Sequence, residues 1–226
     1  MILAGPTIAV VAAKQATDTI PIVGINVTDP VGLGLVTSEA RPGTNVTGIL
    51  TRVEGLSAKQ LEVANDLLPG VAKIGLLIHA GDPSNALQQR ETEAAAAQLK
   101  LNFTSVQVPA ADAIEEAFKT FARERVGLVV VFGSAMFLVA RRQIAAFALA
   151  ARLPTICNFR EHVEDGGLIS YGINLRENFR RGATATRLHH AAQWCGCRHA
   201  QPAAARPASP GTDLNCSESR LRPAAL

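Results

Sequence analysis

Two continuous apolar runs, Ile74 to Ile78 and Leu128 to Phe132, constrain this chain most, because each is followed by a helical stretch of ten or more residues. A strand with no polar face has to be covered on both sides, which is the condition inside a parallel sheet. Parallel strands cannot be joined by a hairpin, so the intervening segment must be a crossover helix. The pattern therefore predicts βαβ units and an α/β fold.

The same alternation runs through most of the sequence. Met1 to Ala4 is a short apolar run, and Gly5-Pro6-Thr7 leads into an Ala/Val-rich helix to about Thr17. Ile20 to Ile25 reads as a strand ended by Thr28-Asp29-Pro30, and Val46 to Leu50 as another after the turn Pro42-Gly43-Thr44-Asn45. Ser57 then opens a helix, with Gln60 three residues on as a capping box, an apolar face of Leu61, Ala64 and Leu68, and a stop at Pro69-Gly70.

The pattern restarts at Ile74. Asp82-Pro83-Ser84-Asn85 turns into a helix to about Leu99, and Phe103 to Val108 alternates like a strand near an edge. Asp112 and Glu115 are expected to cap a helix whose apolar face is Ile114, Ala117, Phe118, Phe121 and Ala122. Gly133-Ser134 leads into one further helix ending near Leu153-Pro154. Thr155 to Cys157 and Leu168 to Tyr171 are short strands, and a final helix starts at about 175.

The end of the chain has another composition. Residues 187–226 contain no Val, Ile, Phe or Lys, yet hold three of the four Cys, three of the five His and the single Trp. The whole net charge of +3 belongs to this segment, and residues 1–186 are neutral. It has neither strand nor helix periodicity and is expected to be disordered, since it cannot bury enough apolar area to offset the entropy of ordering. Cys195, Cys197, His189, His190 and His199 suggest zinc, but C-x-C is not a finger spacing and no second pair follows. Translation out of frame from a GC-rich coding stream accounts better for the residues present.

Several function classes are excluded. Only 4% of residues are aromatic and the charge is small, which argues against nucleic-acid binding. No run approaches a membrane span, and no basic segment precedes an apolar one as in an export signal. No G-x-S-x-G, Walker, H-E-x-x-H or complete G-x-G-x-x-G motif occurs, so neither a cofactor nor a metal is expected. Gly32-Leu33-Gly34 is only a fragment of the last. His79 and Cys157 read as structural, Arg141 and Arg142 as a solvated face, and Arg160, Glu161 and His162 as an exposed loop.

In open α/β sheets ligands bind at the carboxyl ends of strands. Four such junctions carry small polar groups: Gly5-Pro6-Thr7, Thr28-Asp29-Pro30, Asp82-Pro83-Ser84-Asn85 and Gly133-Ser134. Helix N-termini favour a carboxylate or phosphate, and Asp29 offers a counter-ion for an ammonium. Capping alone accounts for any one of these junctions. The four together carry the case for a site.

Certain stretches, taken in order, resemble a known family. They are Ala12-Ala13-Lys14-Gln15-Ala16-Thr17 with Thr19-Ile20-Pro21-Ile22-Val23, Asp29-Pro30-Val31-Gly32, Ala40-Arg41-Pro42-Gly43 with Asn45-Val46-Thr47-Gly48, Arg90-Glu91-Thr92-Glu93-Ala94-Ala95, Leu153-Pro154 with Phe159-Arg160-Glu161, and Gly166-Gly167-Leu168-Ile169-Ser170-Tyr171-Gly172. Over residues 1–185 the chain resembles ABC-transporter substrate-binding proteins of the tryptophan/tyrosine type, which have the periplasmic-binding-protein type I fold. The resemblance implies two Rossmann-like lobes with ligand in the cleft between them, no enzymatic activity, an ABC permease as partner, and a periplasmic location. It divides the chain into a first-lobe remnant at 1–70, a second lobe at 71–170, a crossing back at 171–186 and the tail at 187–226.

Positions matching the family's cleft are Thr7, Thr28 and Asp29 on the first lobe and Ser84, Asn85, Ser134 and Asn158 on the second, with Tyr171 and Phe159 to pack on a ring. Hydroxyls, amides and one carboxylate suit an amino acid as ligand. Relative to the family pattern, the export signal, the opening βα units and the closing helix of the first lobe are missing, so a non-functional truncated fragment is one alternative. A ligand-sensing regulatory domain and a small α/β enzyme using Cys157 as nucleophile are the others.

Overall fold

The computed structural model describes residues 1–51 and 55–194, with side chains to residue 184. Residues 195–226 lie outside the described residues, and with them the cysteines of the zinc reading. The strands are β1 (Ile2–Ala4), β2 (Ile22–Val27), β3 (Val46–Leu50), β4 (Lys73–His79), β5 (Asn102–Val108), β6 (Leu128–Val131), β7 (Thr155–Cys157) and β8 (Ile169–Ser170). The helices are α1 (Thr7–Ala16), α2 (Leu56–Leu67), α3 (Asn85–Gln98), α4 (Ile114–Arg123), α5 (Ala135–Val139), α6 (Arg141–Ala151), α7 (Arg160–Glu164) and α8 (Leu175–Trp194).

Every strand pairing is parallel. One sheet has the order β1-β2-β3 and the other β5-β4-β6-β7-β8. The α/β architecture with parallel sheets expected from the sequence is therefore present. In the second sheet the chain leaves β4 on one side to form β5 and returns across it to form β6. That reversal opens a crevice at the carboxyl ends of β4 and β6.

The second sheet is covered on both faces. Leu77, Val129 and Val131 pack with Ile114, Phe118 and Phe121 of α4 and Ile144 of α6. On the other face Leu76, Val130 and Ile156 meet Leu61 and Ala64 of α2 and Ala95 and Ala96 of α3. Gly75 of β4 has no Cβ because one would stand 2.7 Å from the ring of Phe121. The first sheet packs Val10 of α1 against Ile22 and Val46. Its opposite face is covered by α8, whose Gly182 lies so close to Ile25 that a Cβ there would come within 2.6 Å of Cγ1.

Several expectations need correction. Helix α2 packs on the second sheet, so the chain changes lobe between Leu50 and Leu56 and not at residue 70. The Ser57–Gln60 capping box does not form: the N-cap is Gly55, in a left-handed conformation, and Gln60 is 1% exposed. Neither Asp112 nor Glu115 caps α4 with its side chain, and Ala122 faces solvent. The helix after Ser134 is broken at Ala140 into α5 and α6.

Helix α8 runs to Trp194, beyond the point where periodicity stops, and it covers a face of the first sheet, where the closing helix was expected to be missing. On β1, Leu3 remains 53% exposed. Overpacking a close contact of this kind costs about 1–3 kcal/mol. Gly182→Val is therefore expected to lower the urea midpoint by that equivalent, read by far-UV circular dichroism.

Candidate functional site

A cavity of about 230 Å³ lies between the two sheets. Each wall is built at the carboxyl ends of strands, where the chain has to turn into a helix. The first-lobe wall consists of Thr7, Asn26, Thr28 and Thr51. Thr7 opens α1; its hydroxyl donates to the carbonyl of Asn26 at 3.3 Å and accepts from the Thr28 amide at 3.0 Å. Thr28 and Thr51 share a hydroxyl–hydroxyl bond of 2.7 Å. Asn26 occupies an irregularity in the β2–β3 register with φ of 62°. Asn tolerates that conformation, and the bulge re-aims the strand end toward the cavity. Its Oδ1 accepts from Nδ2 of Asn178 on α8 at 2.9 Å.

The polar part of the second wall holds Asp82, Ser84, Gln88, Glu91, Ser134 and Asn158. Ser134 caps α5 by accepting from the Met136 amide at 3.2 Å, and its hydroxyl lies 3.0 Å from Nδ1 of His79. Gln88 and Asn158 form a reciprocal amide pair: Gln88 Nε2 donates to Asn158 Oδ1 at 3.2 Å, and Asn158 Nδ2 donates to Gln88 Oε1 at 3.3 Å. Gln60 sets the orientation of this pair. Its Nε2 donates to Asn158 Oδ1 at 2.8 Å and to the Tyr171 carbonyl at 2.7 Å. The remaining wall is apolar, with Leu56, Leu87, Leu138, Phe159, Ile173 and Phe179 prominent.

Of the residues expected from the sequence, Thr7, Thr28, Ser84, Ser134 and Asn158 line the cavity. Three expected residues do not. Asp29, with φ of 50°, accepts from the Gly32 amide at 3.0 Å, closing a local turn. Asn85 is buried and donates to the His79 carbonyl at 2.9 Å. Tyr171 offers its carbonyl to Gln60 and its amide to the Cys157 carbonyl, and the residue is 41% exposed. Phe179 of α8 and Phe159 supply the aromatic surface instead. The sequence reading missed Asn26, Gln60, Gln88 and Glu91 as site residues. Gln60 had a visible signal, since it sits beside Leu61 and one turn before Ala64 on the face that packs inward.

The remaining polar candidates also move. Arg160 to Glu164 is a helix, and His162 within it is buried and stacked on Phe159 with ring centroids 6.2 Å apart. Burial, with Arg141 beside it, pushes the His162 imidazole down to about 4. Arg141 and Arg142 are not simply solvated, because both pair with Asp165, at 2.5 and 3.0 Å. The bond from Arg142 is the main reason that the Asp165 carboxyl stays below its ordinary range. Cys157 is buried and its thiol is pushed up to about 12, which removes the thiolate that nucleophilic catalysis needs.

A family model described as ABC transporter substrate binding protein matches residues 1–190. The chain belongs to that family. A tyrosine-binding protein of Clostridioides difficile (strain R20291) is 39% identical over 77 residues, covering 34% of this chain and 22% of that protein. Among solved structures, a conserved domain protein from Vibrio cholerae aligns with a TM-score of 0.75 at 25% identity, covering 83% of this chain and 62% of its own. The ABC domain in complex with L-Trp from Streptococcus pneumoniae aligns with a TM-score of 0.76 at 24% identity, covering 89% of this chain and 64% of its own. The latter likeness is one of fold. The chain thus spans under two thirds of both structures and about a fifth of the tyrosine-binding protein.

Two measurements follow from the buried His162 and Cys157. An unfolded His162 takes a proton near pH 6.5, whereas the folded one does so at about 4. The unfolded state binds more protons in that window, so stability falls as pH drops through it and is flat above it, by up to roughly 3 kcal/mol. Urea midpoints measured at pH 7.5, 6 and 4.5 should show this slope, and His162→Gln should flatten it. In a chain with Cys195→Ser, Cys197→Ser and Cys216→Ser, an aromatic disulfide reagent should modify Cys157 only as fast as the protein unfolds.

Proposed function

We propose that this protein is the solute-binding component of an ABC import system, holding an amino acid with an apolar side chain between its lobes. The observation that carries the reading is the cavity itself, which draws on the strand ends of both sheets and on α8. A ligand touching both lobes favours the conformation in which they approach, which is how such a protein signals its loaded state. The cavity is smaller than the roughly 300–1,000 Å³ of drug-sized sites, which suits one amino acid. Hydroxyls and amides serve the main-chain end of the ligand, and Phe159, Phe179 and Leu138 form a surface for its side chain. The likeness to a tyrosine-binding protein and to a domain holding L-Trp supports an aromatic side chain. On this reading the protein works outside the cytoplasmic membrane, delivers its ligand to a permease, and catalyses no reaction.

Ligand that binds only the native state raises stability by about 2.7 kcal/mol at one hundred times its Kd. Thermal melts with a panel of amino acids should therefore show a cooperative transition raised by roughly 5–10 °C with an aromatic amino acid. Ala135→Trp, which puts an indole at the cavity wall, should abolish the shift. A broad melt that no amino acid moves overturns the reading.

A further inference from the structure

Strand β5 ends the second sheet. It pairs with β4 along its seven residues, and among the described residues no strand pairs with its other side. The other sheet ends, β1, β3 and β8, have three, five and two residues, so β5 is the longest open edge described. Natural edges are commonly blunted by a charge, a proline or a bulge. Strand β5 has none of these. It reads Asn-Phe-Thr-Ser-Val-Gln-Val, and its register with β4 is unbroken from Asn102 opposite Lys73 to Val108 opposite His79.

Two bonds fix which backbone groups face the open side. The Asn102 amide donates to the Ala72 carbonyl at 3.0 Å, and the Val108 carbonyl accepts from the Ala80 amide at 3.0 Å. Even-numbered residues therefore bond to β4. By the period of two, the amides and carbonyls of Phe103, Ser105 and Gln107 point outward. Val106 and Val108 turn their side chains into the core beneath α4, so those of Phe103, Ser105 and Gln107 lie on the opposite face. All three of these residues are exposed, Phe103 by 42%.

Two copies of one edge related by a two-fold axis meet antiparallel. An axis through Ser105 sets Ser105 opposite its own copy and Phe103 opposite Gln107 on either side. Every such pair joins residues whose amide and carbonyl both face outward, which is the hydrogen-bonded pair of an antiparallel ladder. No like charges meet, because the strand has no charge. Just outside it, Lys100 precedes the entry and Asp112 follows the exit, both exposed and without an ion pair among the described residues. Antiparallel pairing brings the Lys100 end of one copy to the Asp112 end of the other.

We propose that this chain forms a two-fold dimer through β5, joining the second sheets of two copies into one continuous sheet with Ser105 on the axis. The two sheets then point their carboxyl ends in opposite directions, so the cavities open away from each other and both stay accessible.

The test is sedimentation equilibrium of the full chain between roughly 5 and 200 μM, with reductant present so that no disulfide joins copies. The expected mass rises with concentration toward twice 23.8 kDa. Ser105→Lys sets two like charges face to face and should weaken the dimer about tenfold or more. Ser105→Glu should do the same, and an equimolar mixture of the two variants should restore it. Ser105 is exposed and makes no side-chain hydrogen bond among the described residues, so both variants should keep the wild-type circular dichroism spectrum. Hydrogen exchange over residues 102–108 of the unaltered chain gives a second readout, with protection expected to rise with concentration. A wild-type mass that stays at one chain throughout, or that grows past two, overturns the proposal. So does a dimer that Ser105→Lys leaves intact, a mixture that fails to restore it, or exchange over β5 that does not depend on concentration.

Discussion

A parallel strand must be left by a helix, because its neighbour starts again at the same end. That constraint governs the molecule. It gathers every strand-to-helix turn at one end of each sheet, and turns are where hydroxyls, amides and carboxylates can sit without disturbing a core. Thr7 and Thr28 in one lobe, and Asp82, Ser84, Ser134 and Asn158 in the other, are neighbours in space because each follows a parallel strand. Where the second sheet reverses direction between β4 and β6, the helices diverge to opposite faces and leave room for a ligand.

Polar groups at that opening are ordered by one another as much as by the backbone. Gln60 reaches from α2 to the end of β7 and to the carbonyl of Tyr171 on the returning segment. It thereby ties the start of the second lobe to the segment by which the chain leaves it. A half-satisfied buried amide network is costly, and a satisfied one fixes a single arrangement. Here Gln88 Oε1 accepts from the Gly133 amide at 3.1 Å, so the turn after β6 belongs to the same network, while the buried Oε1 of Gln60 has no partner among the described residues.

The strands and the polar turns that end them were legible in the sequence because they follow from local chemistry. Unbroken apolar runs such as Leu128 to Phe132 have one stable setting, and the polar turns after them mark strand ends. Features set by tertiary contact were not legible. Ser57 and Gln60 have capping-box spacing, yet the long Gln60 side chain is drawn to Asn158 and Tyr171, partners 98 and 111 residues away. Asp29 looked available for a ligand because nothing in its neighbourhood shows that its own turn occupies it. Phe179 stands where Tyr171 was expected for a similar reason. A strand of two residues leaves the tyrosine side chain outside the cavity, whereas α8 carries Phe179 into its wall.

The bond from Asn178 to Asn26 joins residues 152 positions apart. It sets an order of assembly on the ribosome. The strands of the first sheet are made before the second lobe, and the helix that covers Ile25 is made after it. At roughly 5–20 residues per second, the early strands wait about 10–30 s with one apolar face uncovered while the second lobe is synthesised between them. The second lobe is thus complete before the first sheet gains the helix that covers it.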